Sequence, residues 1–197
     1  MGKLLIATHN QGKLREFAQI FSGLGLTLHS LAELGISDEV EETGATFAEN
    51  ARLKAAAYCT LSGLPTLADD SGLEVAALNG APGVYSARYG GVKGEAQLRY
   101  LLDQMKEVPW HARLARFVCV IALAHPDGRL AYAEGHLSGV IELEPRGKGG
   151  FGYDPLFYLL DENVTLAELP AEQKNQISHR AKAAQAARDI LQDWAGV

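Results

Sequence analysis

The chain has 197 residues, a formal net charge of −6 at pH 7, and 47% hydrophobic and 21% charged residues. This composition is typical of one sizeable globular domain, and the acidic balance argues against a general nucleic-acid binder, which would carry a basic surplus. No apolar run approaches the length of a membrane span, and the first, Leu4–Ala7, is too short for a signal peptide. Cys59 and Cys119 lie among apolar residues and are expected to be buried thiols. We therefore expect a cytoplasmic protein with no membrane partner and a single domain over residues 1–197.

A polar loop between a strand and a helix is the first candidate site. Lys3–Thr8 is a predicted strand, His9–Gly12 is polar, and Lys13–Phe21 has apolar residues at helical spacing. Free amides and the dipole at a helix N-terminus attract phosphate, and Lys13 adds a full charge. The loop is not a Walker A motif, because Leu14 follows the lysine where that motif needs Ser or Thr. The alternative is an ordinary strand-to-helix connection.

The clearest predicted helix follows an acidic segment. Thr27–Leu31 is a predicted second strand, and Gly35–Gly44 is a polar stretch with four acidic residues. Thr46–Leu61 has apolar residues at helical spacing, and its start fits a capping box. Asn50 and Lys54 lie one turn apart on this helix, so their side chains can point the same way. Surface pairing is the default role for such residues.

Two adjacent carboxylates, Asp69 and Asp70, lie between the apolar runs Leu64–Ala68 and Leu73–Leu78. The Ser-Gly pair that follows them is expected to break the strand, and ligands gather at strand ends in α/β proteins. Neighbouring side chains on a strand point to opposite faces, so at most one of the two can face a given cleft. A carboxylate beside an apolar core usually holds a metal or acts as a base. The alternative is that the pair caps a turn.

The next part of the chain predicts a long loop, a helix and a hairpin. Asn79–Gly91 has too many turn residues for regular structure, and long ordered loops with aromatic residues and arginine tend to be functional. Gly94–Lys106 is a predicted helix. Leu114–Ala124 and Leu130–Leu143 are predicted strands, and the turn His125–Gly128 between them predicts an antiparallel hairpin.

A second loop, Glu144–Pro155, combines glycines with two cations and the aromatic residues Phe151 and Tyr153. Glycine lets the backbone approach a ligand closely, and an aromatic ring held on such a loop can stack on a base. This loop is therefore a candidate site for a nucleotide base. The remaining elements are a predicted strand and two predicted helices, at Leu156–Leu160, Glu172–Ile177 and Ala181–Trp194.

Seven motifs occur in order and cover nearly the whole chain. They are Thr8–Lys13, Glu41–Gly44, Glu49–Ala51 with Lys54, Ala68–Leu73, Gly80–Arg88, Gly149–Pro155, and Ser178–Arg180 with Lys174. Together they resemble the bacterial form of the inosine triphosphate pyrophosphatase family, which hydrolyses nonstandard purine nucleoside triphosphates. One departure is His9, where close bacterial relatives often have glycine.

The resemblance implies an α/β fold with an elongated mixed β-sheet flanked by helices, and two lobes with a nucleotide cleft between them. It also implies a homodimer and dependence on Mg²⁺. The reaction that it implies is hydrolysis of ITP, dITP and XTP to the nucleoside monophosphate and pyrophosphate.

The resemblance and the chemistry of a triphosphate together give each motif a role. Glu41 and Asp70 are hard oxygen ligands for magnesium, and Asp70 is also the candidate base for the attacking water. Asp69 is expected to support them without contacting substrate. The predicted substrate-binding residues are Thr8, His9, Asn10, Gln11, Gly12, Lys13 and Lys54 around the phosphates, and Phe151, Gly152, Tyr153, Asp154, Lys174, His179 and Arg180 around the purine. Ser71 is also predicted to bind substrate.

Two other classes of function fit parts of the sequence. One is a nucleotide pyrophosphatase of the Maf type, against which the Phe151–Asp154 and Ser178–Arg180 motifs speak. The other is a nucleotide-binding regulator without chemistry, which would have no use for carboxylates such as Asp70 beside a lysine clamp. Magnesium-dependent turnover distinguishes the second from an enzyme.

Overall fold

A computed structural model of the chain describes residues 2–195. Met1, Gly196 and Val197, which the predicted domain includes, lie outside the described residues. The strands are β1 (Lys3–Ile6), β2 (Thr27–Ser30), β3 (Thr66–Val75), β4 (Leu114–Ala124), β5 (Leu130–Ile141), β6 (Phe157–Leu159) and β7 (Val164–Thr165). The helices are α1 (Gln11–Ile20), α2 (Phe47–Ser62), α3 (Glu95–Gln104), α4 (Ala171–Ile177) and α5 (His179–Ala195), with 3-10 turns at Ala76–Leu78, Gly83–Gly91 and Trp110–Ala112.

The described strands form one mixed sheet in the order β2-β1-β3-β4-β5-β6-β7. β1 pairs in parallel with β2 and β3, whereas β6 pairs antiparallel with β5 and β7. The predicted α/β fold with a mixed sheet and helices is therefore confirmed. The predicted hairpin turn closes through hydrogen bonds from His125 N to Arg129 O and from Gly128 N to His125 O.

The chain divides into two compact units, each made of separate stretches of sequence. The first unit runs to Asp70 and also contains Cys119–Gly135 and the chain from His179. The second unit consists of Ser71–Val118 and His136–Ser178. Neither unit is a continuous stretch of chain, and the single domain over residues 1–197 stays a prediction.

In the first unit β1 and the start of β3 bury both faces, and each face packs against different helices. Leu4 and Ile6 of β1 belong to a core cluster with residues of α1 and α5, whereas Leu5 and Ala7 belong to one with residues of α2. β3 follows the same alternation, with Leu67 in the α1/α5 cluster and Ala68 in the α2 cluster. Side chains alternate between the two faces of a strand. The faces taken by Leu67 and Ala68 therefore also determine the faces of Asp69 and Asp70, which follow them on β3.

The second unit has one hydrophobic core cluster, formed mainly by α3, β4, β5 and the segment around β6. Leu101 and Met105 belong to this cluster from the α3 side, and the rings of Phe117 and Phe157 pack at a tilt of 37° with centroids 4.6 Å apart. Tyr153, which the sequence placed at the purine, is buried in the same cluster.

The expectation that the strand breaks after Asp70 is wrong. β3 continues through Ser71 and Gly72 to Val75. Beyond the carboxylates, Leu73 N donates a hydrogen bond of 2.8 Å to Ser86 Oγ. The strand that ends near the carboxylates is β1, whose pairing with β3 covers only Thr66 and Leu67. The carboxylates therefore lie past the carboxyl end of β1, and a strand end is still present there.

Other features match the sequence with small differences. The capping box of α2 is present, with Thr46 as N-cap and Glu49 as its partner. The predicted loop Asn79–Gly91 contains a kinked 3-10 segment. Both cysteines are buried and form no disulfide, as expected. Among the described residues, no helix combines the length and apolar character that crossing a membrane requires.

Candidate active site

The phosphate loop predicted between β1 and α1 is closed by Asn10. The Asn10 side chain accepts hydrogen bonds from the amides of Gly12 at 2.8 Å and Lys13 at 3.1 Å. Thr8 Oγ1 in turn accepts one from Asn10 N at 3.2 Å. The expectation of free amides in the first turn is therefore wrong for Gly12 and Lys13, because their amides already donate to Asn10. A phosphate bound there would compete with Asn10 for them. Gln11 is exposed.

His9, the departure from the family pattern, contacts the acidic segment. Its Nε2 lies 3.2 Å from Tyr58 Oη and 3.3 Å from the carbonyl oxygen of Asp38. Tyr58 Oη donates to the same carbonyl at 2.8 Å. The imidazole of His9 therefore helps hold the segment that leads to the Glu41–Gly44 motif.

Asp69 and Asp70 point to opposite faces of β3, as the alternation of Leu67 and Ala68 requires. Asp69 faces α1 and α5, where its Oδ2 lies 2.8 Å from Lys13 Nζ and 3.8 Å from Arg180 Nε. Burial opposes ionisation of Asp69, but Lys13, Arg180 and Lys54 outweigh it and lower the pKa of this carboxyl. Asp69 is therefore a fixed negative charge that positions Lys13.

Asp70 faces α2. Its Oδ2 accepts a hydrogen bond of 3.0 Å from Asn50 Nδ2, and its Oδ1 lies 3.9 Å from Lys54 Nζ. Burial raises the pKa of Asp70 more than Lys54, Asn50 and Lys13 lower it. The two neighbouring carboxyls thus have pKa values shifted in opposite directions, which is how one site separates a fixed anion from a group that accepts a proton.

In the acidic motif Glu41–Gly44, the side chain that contacts Lys54 beside Asp70 is Glu42 and not Glu41. Glu42 Oε1 lies 2.5 Å from Lys54 Nζ, and Lys54 is the cation that also faces Asp70. Burial disfavours the charge of Lys54, but Asp69, Asp70 and Glu42 together raise its pKa. Glu41 is exposed. Glu42 is therefore a second carboxylate near Asp70, and the role of Glu41 as a magnesium ligand stays a prediction.

Arg180 lies in the first unit and is buried against carboxylates. It forms an ion pair with Glu16 through Nη1, and its side chain is 3% exposed. Its pKa is raised, because Asp69 and Glu16 outweigh the effect of burial. His179 is also buried. The geometry favours Arg180 as the residue that holds Asp69, and the predicted contact of both residues with the purine edge stays a prediction.

The predicted purine site forms a second cluster, in the second unit. Lys174 Nζ lies 2.7 Å from Asp154 Oδ2 and 4.7 Å from the centroid of the Phe151 ring. Asp154 Oδ2 also accepts a hydrogen bond of 2.8 Å from Phe151 N. A side chain at Gly150, whose φ is 68°, would overlap Asp154, so glycine is needed for the loop to close on this carboxylate.

Three other predicted site residues have different surroundings. The Tyr153 hydroxyl donates to the Ser86 carbonyl at 3.1 Å, and burial raises its pKa. Through this contact Tyr153 supports the loop Glu144–Pro155, which carries Phe151. Ser71 is half-buried directly after Asp70, and Gly152, with a φ of 61°, is exposed.

The donors in the first unit fit a magnesium ion. Among the described residues no group of three or more His, Cys, Asp or Glu side chains could hold a metal. Two carboxylates are nevertheless enough for Mg²⁺, which keeps several waters and binds substrate phosphates as well. Asp70 and Glu42 are such hard oxygen donors and share Lys54.

The structure thus brings Lys13, Lys54 and Asp70 together in the first unit, and Phe151, Asp154 and Lys174 in the second. Sequence reasoning gave no role to Glu16 or Glu42, and it gave Asn50 only a default role in surface pairing, which is wrong because Asn50 is fully buried. Glu42 belongs to the Glu41–Gly44 motif, and Asn50 was predicted to lie on the same side of its helix as Lys54. Only Glu16 had no signal, because its partner Arg180 is 164 residues away.

Comparison with known proteins shows which family the chain is similar to. The model of the Ham1 family matches residues 4–190. A dITP/XTP pyrophosphatase of Geobacter sulfurreducens is 51% identical over 199 residues, covering all of both chains, and one of Thermus thermophilus is 50% identical over 97% of this chain and 92% of its own. A HAM1 protein structure from Coxiella burnetii superposes with a TM-score of 0.89 at 40% identity, covering 98% of this chain and 100% of that one. The chain therefore belongs to the Ham1 family, and the resemblance seen in its seven motifs is confirmed.

Proposed function

We propose that this protein hydrolyses nonstandard purine nucleoside triphosphates, namely dITP, ITP and XTP, to the nucleoside monophosphate and pyrophosphate. The observation that carries the proposal is the group formed by Asp70, Lys54 and Glu42 next to Lys13 in the first unit. It combines a buried carboxyl of raised pKa with two cations suited to phosphate. Removal of such triphosphates from the nucleotide pool would prevent their incorporation into DNA and RNA.

In this proposal Asp70 accepts the proton of the water that attacks the α-phosphorus. A buried carboxyl with a raised pKa is a stronger base than an exposed one, and Asn50 holds one of its oxygens. Lys13 and Lys54 bind the phosphates, and Asp69 keeps Lys13 in place. Mg²⁺, held by Asp70 and by a carboxylate of the Glu41–Gly44 segment, would neutralise charge on the phosphates and on the leaving pyrophosphate.

The charge of the group supports a need for metal. The first-unit cluster contains three cations, Lys13, Lys54 and Arg180, and four carboxylates, Glu16, Glu42, Asp69 and Asp70. A triphosphate would meet a surplus of negative charge there. Binding of the triphosphate therefore favours an accompanying Mg²⁺.

The purine is proposed to bind at the second-unit cluster. The base would stack on the face of Phe151 opposite Lys174, with Asp154 and Lys174 as polar partners. Gly152 and Tyr153 would line or support this end, and Ser71, directly after Asp70, would also bind the substrate. In the same proposal His179 and Arg180 favour purines with an oxo group, because a donor facing an amino group would be left unpaired. We also propose that the enzyme works as a homodimer in the cytoplasm.

A panel of dITP, XTP, ITP, GTP and ATP with Mg²⁺, scored separately for pyrophosphate and inorganic phosphate, tests the function. We expect pyrophosphate from the first three and at least about 10⁴-fold weaker turnover of ATP, since buried polar groups would be left unpaired. Release of inorganic phosphate, or no turnover of any purine triphosphate, would refute the proposal. A preference for other nucleotides would instead support a Maf-type activity.

A further inference from the structure

Asn50 links the two segments that carry the candidate metal carboxylates. It lies in the first turns of α2 and is fully buried, with 0% of its surface exposed. Its Nδ2 donates to Asp70 Oδ2 at 3.0 Å, and its Oδ1 accepts from Gly44 N at 2.8 Å. Gly44 is two residues after Glu42, so one buried side chain connects β3 with the acidic motif.

The orientation of this amide is determined by its partners. A backbone N–H can only donate, so the atom facing Gly44 is the oxygen. A carboxylate accepts, so the atom facing Asp70 is the nitrogen. Rotation of the amide by half a turn would set nitrogen against N–H and oxygen against carboxylate, and both contacts would become repulsive. Asn50 therefore has a single favourable orientation.

Gly44 lies as close to Asn50 and the start of α2 as this link requires. A Cβ added at Gly44 would lie 2.6 Å from Glu49 Cβ and 2.7 Å from Asn50 Oδ1. These distances are shorter than van der Waals contact, so any other residue would push the acidic motif away from α2. The backbone at Gly44 and the side chain of Asn50 are thus fitted to each other.

We propose that Asn50 is a positioning residue, which orients the Asp70 carboxylate and holds the Glu41–Gly44 segment so that the acidic side chains of this segment stay beside Asp70. The inference rests on the proposed function, in which Asp70 and a carboxylate of the Glu41–Gly44 segment act together. Asn50 itself contacts neither substrate nor metal in this proposal. It acts through Asp70 on one side and through Gly44 on the other.

The test compares Asn50→Ala with Ala56→Gly. Ala56 is exposed on the same helix, so the glycine weakens α2 without touching the site. With dITP we expect Asn50→Ala to lower kcat by about 10- to 100-fold and to raise the Mg²⁺ concentration needed for half-maximal rate. Ala56→Gly should lower the melting temperature and leave both kinetic quantities near wild type.

A double-mutant cycle shows whether Asn50 acts through Asp70. In an Asp70→Asn background, Asn50→Ala should lower kcat by less than about threefold, because the effects of substituting residues that act as a unit are not additive. A purely structural role would give the same loss in both backgrounds. Equal losses would therefore overturn the inference.

The outcomes for this inference and for the function are separable. Wild-type protein that does not turn over dITP with Mg²⁺ refutes the function, whatever the variants do. Active wild type, with Asn50→Ala within about twofold of it in kcat and Mg²⁺ dependence, refutes only the role of Asn50. If Asn50→Ala does not fold, Asn50→Ser replaces it, since a hydroxyl is too short to reach both partners. Failure of both to fold assigns Asn50 to folding and overturns its role in positioning.

Discussion

Replacing either of the two adjacent carboxylates by its amide should change stability in opposite directions. Asp69 has a pKa lowered mainly by Lys13 and Arg180 against the effect of burial, whereas burial raises the pKa of Asp70. Asp69→Asn removes the counter-ion of two cations that are largely buried. Asp70→Asn removes a charge whose burial disfavours the folded state. The two substitutions are chemically identical and one residue apart.

The expected magnitude for Asp69→Asn follows from its contacts. The Asp69 side chain is 1% exposed, and its Oδ2 lies 2.8 Å from Lys13 and 3.8 Å from Arg180. Breaking a buried ion pair by removing one partner costs about 3–5 kcal/mol. The amide keeps the volume and one acceptor oxygen, so we expect a loss of about 3 kcal/mol in the free energy of unfolding. For a chain of this length that is about 6–12 °C in melting temperature.

The dependence on pH has a definite sign for each residue. A lowered pKa in the folded state means that Asp69 stabilises the fold above its unfolded pKa of about 4, and that this stability is lost as pH falls further. The gap between wild type and Asp69→Asn should therefore be widest at neutral pH and narrow in acid. A raised pKa means that ionised Asp70 disfavours the fold at neutral pH, so Asp70→Asn should be at least as stable as wild type there.

Urea denaturation followed by circular dichroism, at neutral pH and in acid, measures both effects. Turnover is measured on the same samples, and Asp70→Asn should lose at least about 10²-fold, as expected for a lost general base. Two results would refute the reasoning. One is a loss below about 1 kcal/mol for Asp69→Asn, and the other is an equal loss for both variants.

Three further predictions concern the metal, the purine and the bond that breaks. Glu42→Gln should lower activity at limiting Mg²⁺ by about 10- to 100-fold, with Glu41→Gln near wild type as the matched control. A larger loss for Glu41→Gln than for Glu42→Gln in a Mg²⁺ titration would instead identify Glu41 as the ligand. Phe151→Ala should lower kcat/KM for dITP by about 10- to 100-fold, the range for a lost stacking contact of 1–3 kcal/mol, and an unchanged kcat/KM would remove Phe151 from the purine site. In oxygen-18 water the label should enter the nucleoside monophosphate, and label in pyrophosphate or in inorganic phosphate would contradict attack at the α-phosphorus.

Much of the local structure could be predicted from sequence, because its signals are local. The apolar spacing of Thr46–Leu61 and its capping box gave α2 to within a residue at each end. The strand-turn-strand pattern around His125–Gly128 gave β4 with its observed bounds. The prediction failed at Ser71 and Gly72, where turn-forming residues continue as strand and Leu73 N pairs with Ser86 Oγ. That partner is 13 residues away in the chain, and turn propensity does not include it.

Choosing between neighbouring acids also needed the fold. Glu41 and Glu42 are equivalent as sequence, since both are acids of one motif in an acidic segment. In the folded chain Gly44 N donates to Asn50 Oδ1 and Glu42 reaches Lys54, whereas Glu41 is exposed. A sequence pattern cannot make this choice, because it depends on which way a non-helical segment turns.

The sequence by itself determined that Asp69 and Asp70 face opposite sides of a strand, since side-chain direction along a strand depends only on the local backbone. Only the tertiary structure decided what each side contains. The packing of α1 and α5 on one face places Lys13 and Arg180 at Asp69, and the packing of α2 on the other places Asn50 at Asp70. Burial and charge at these two places shift the pKa values apart, because both depend on groups that are distant in the chain and meet only when it folds.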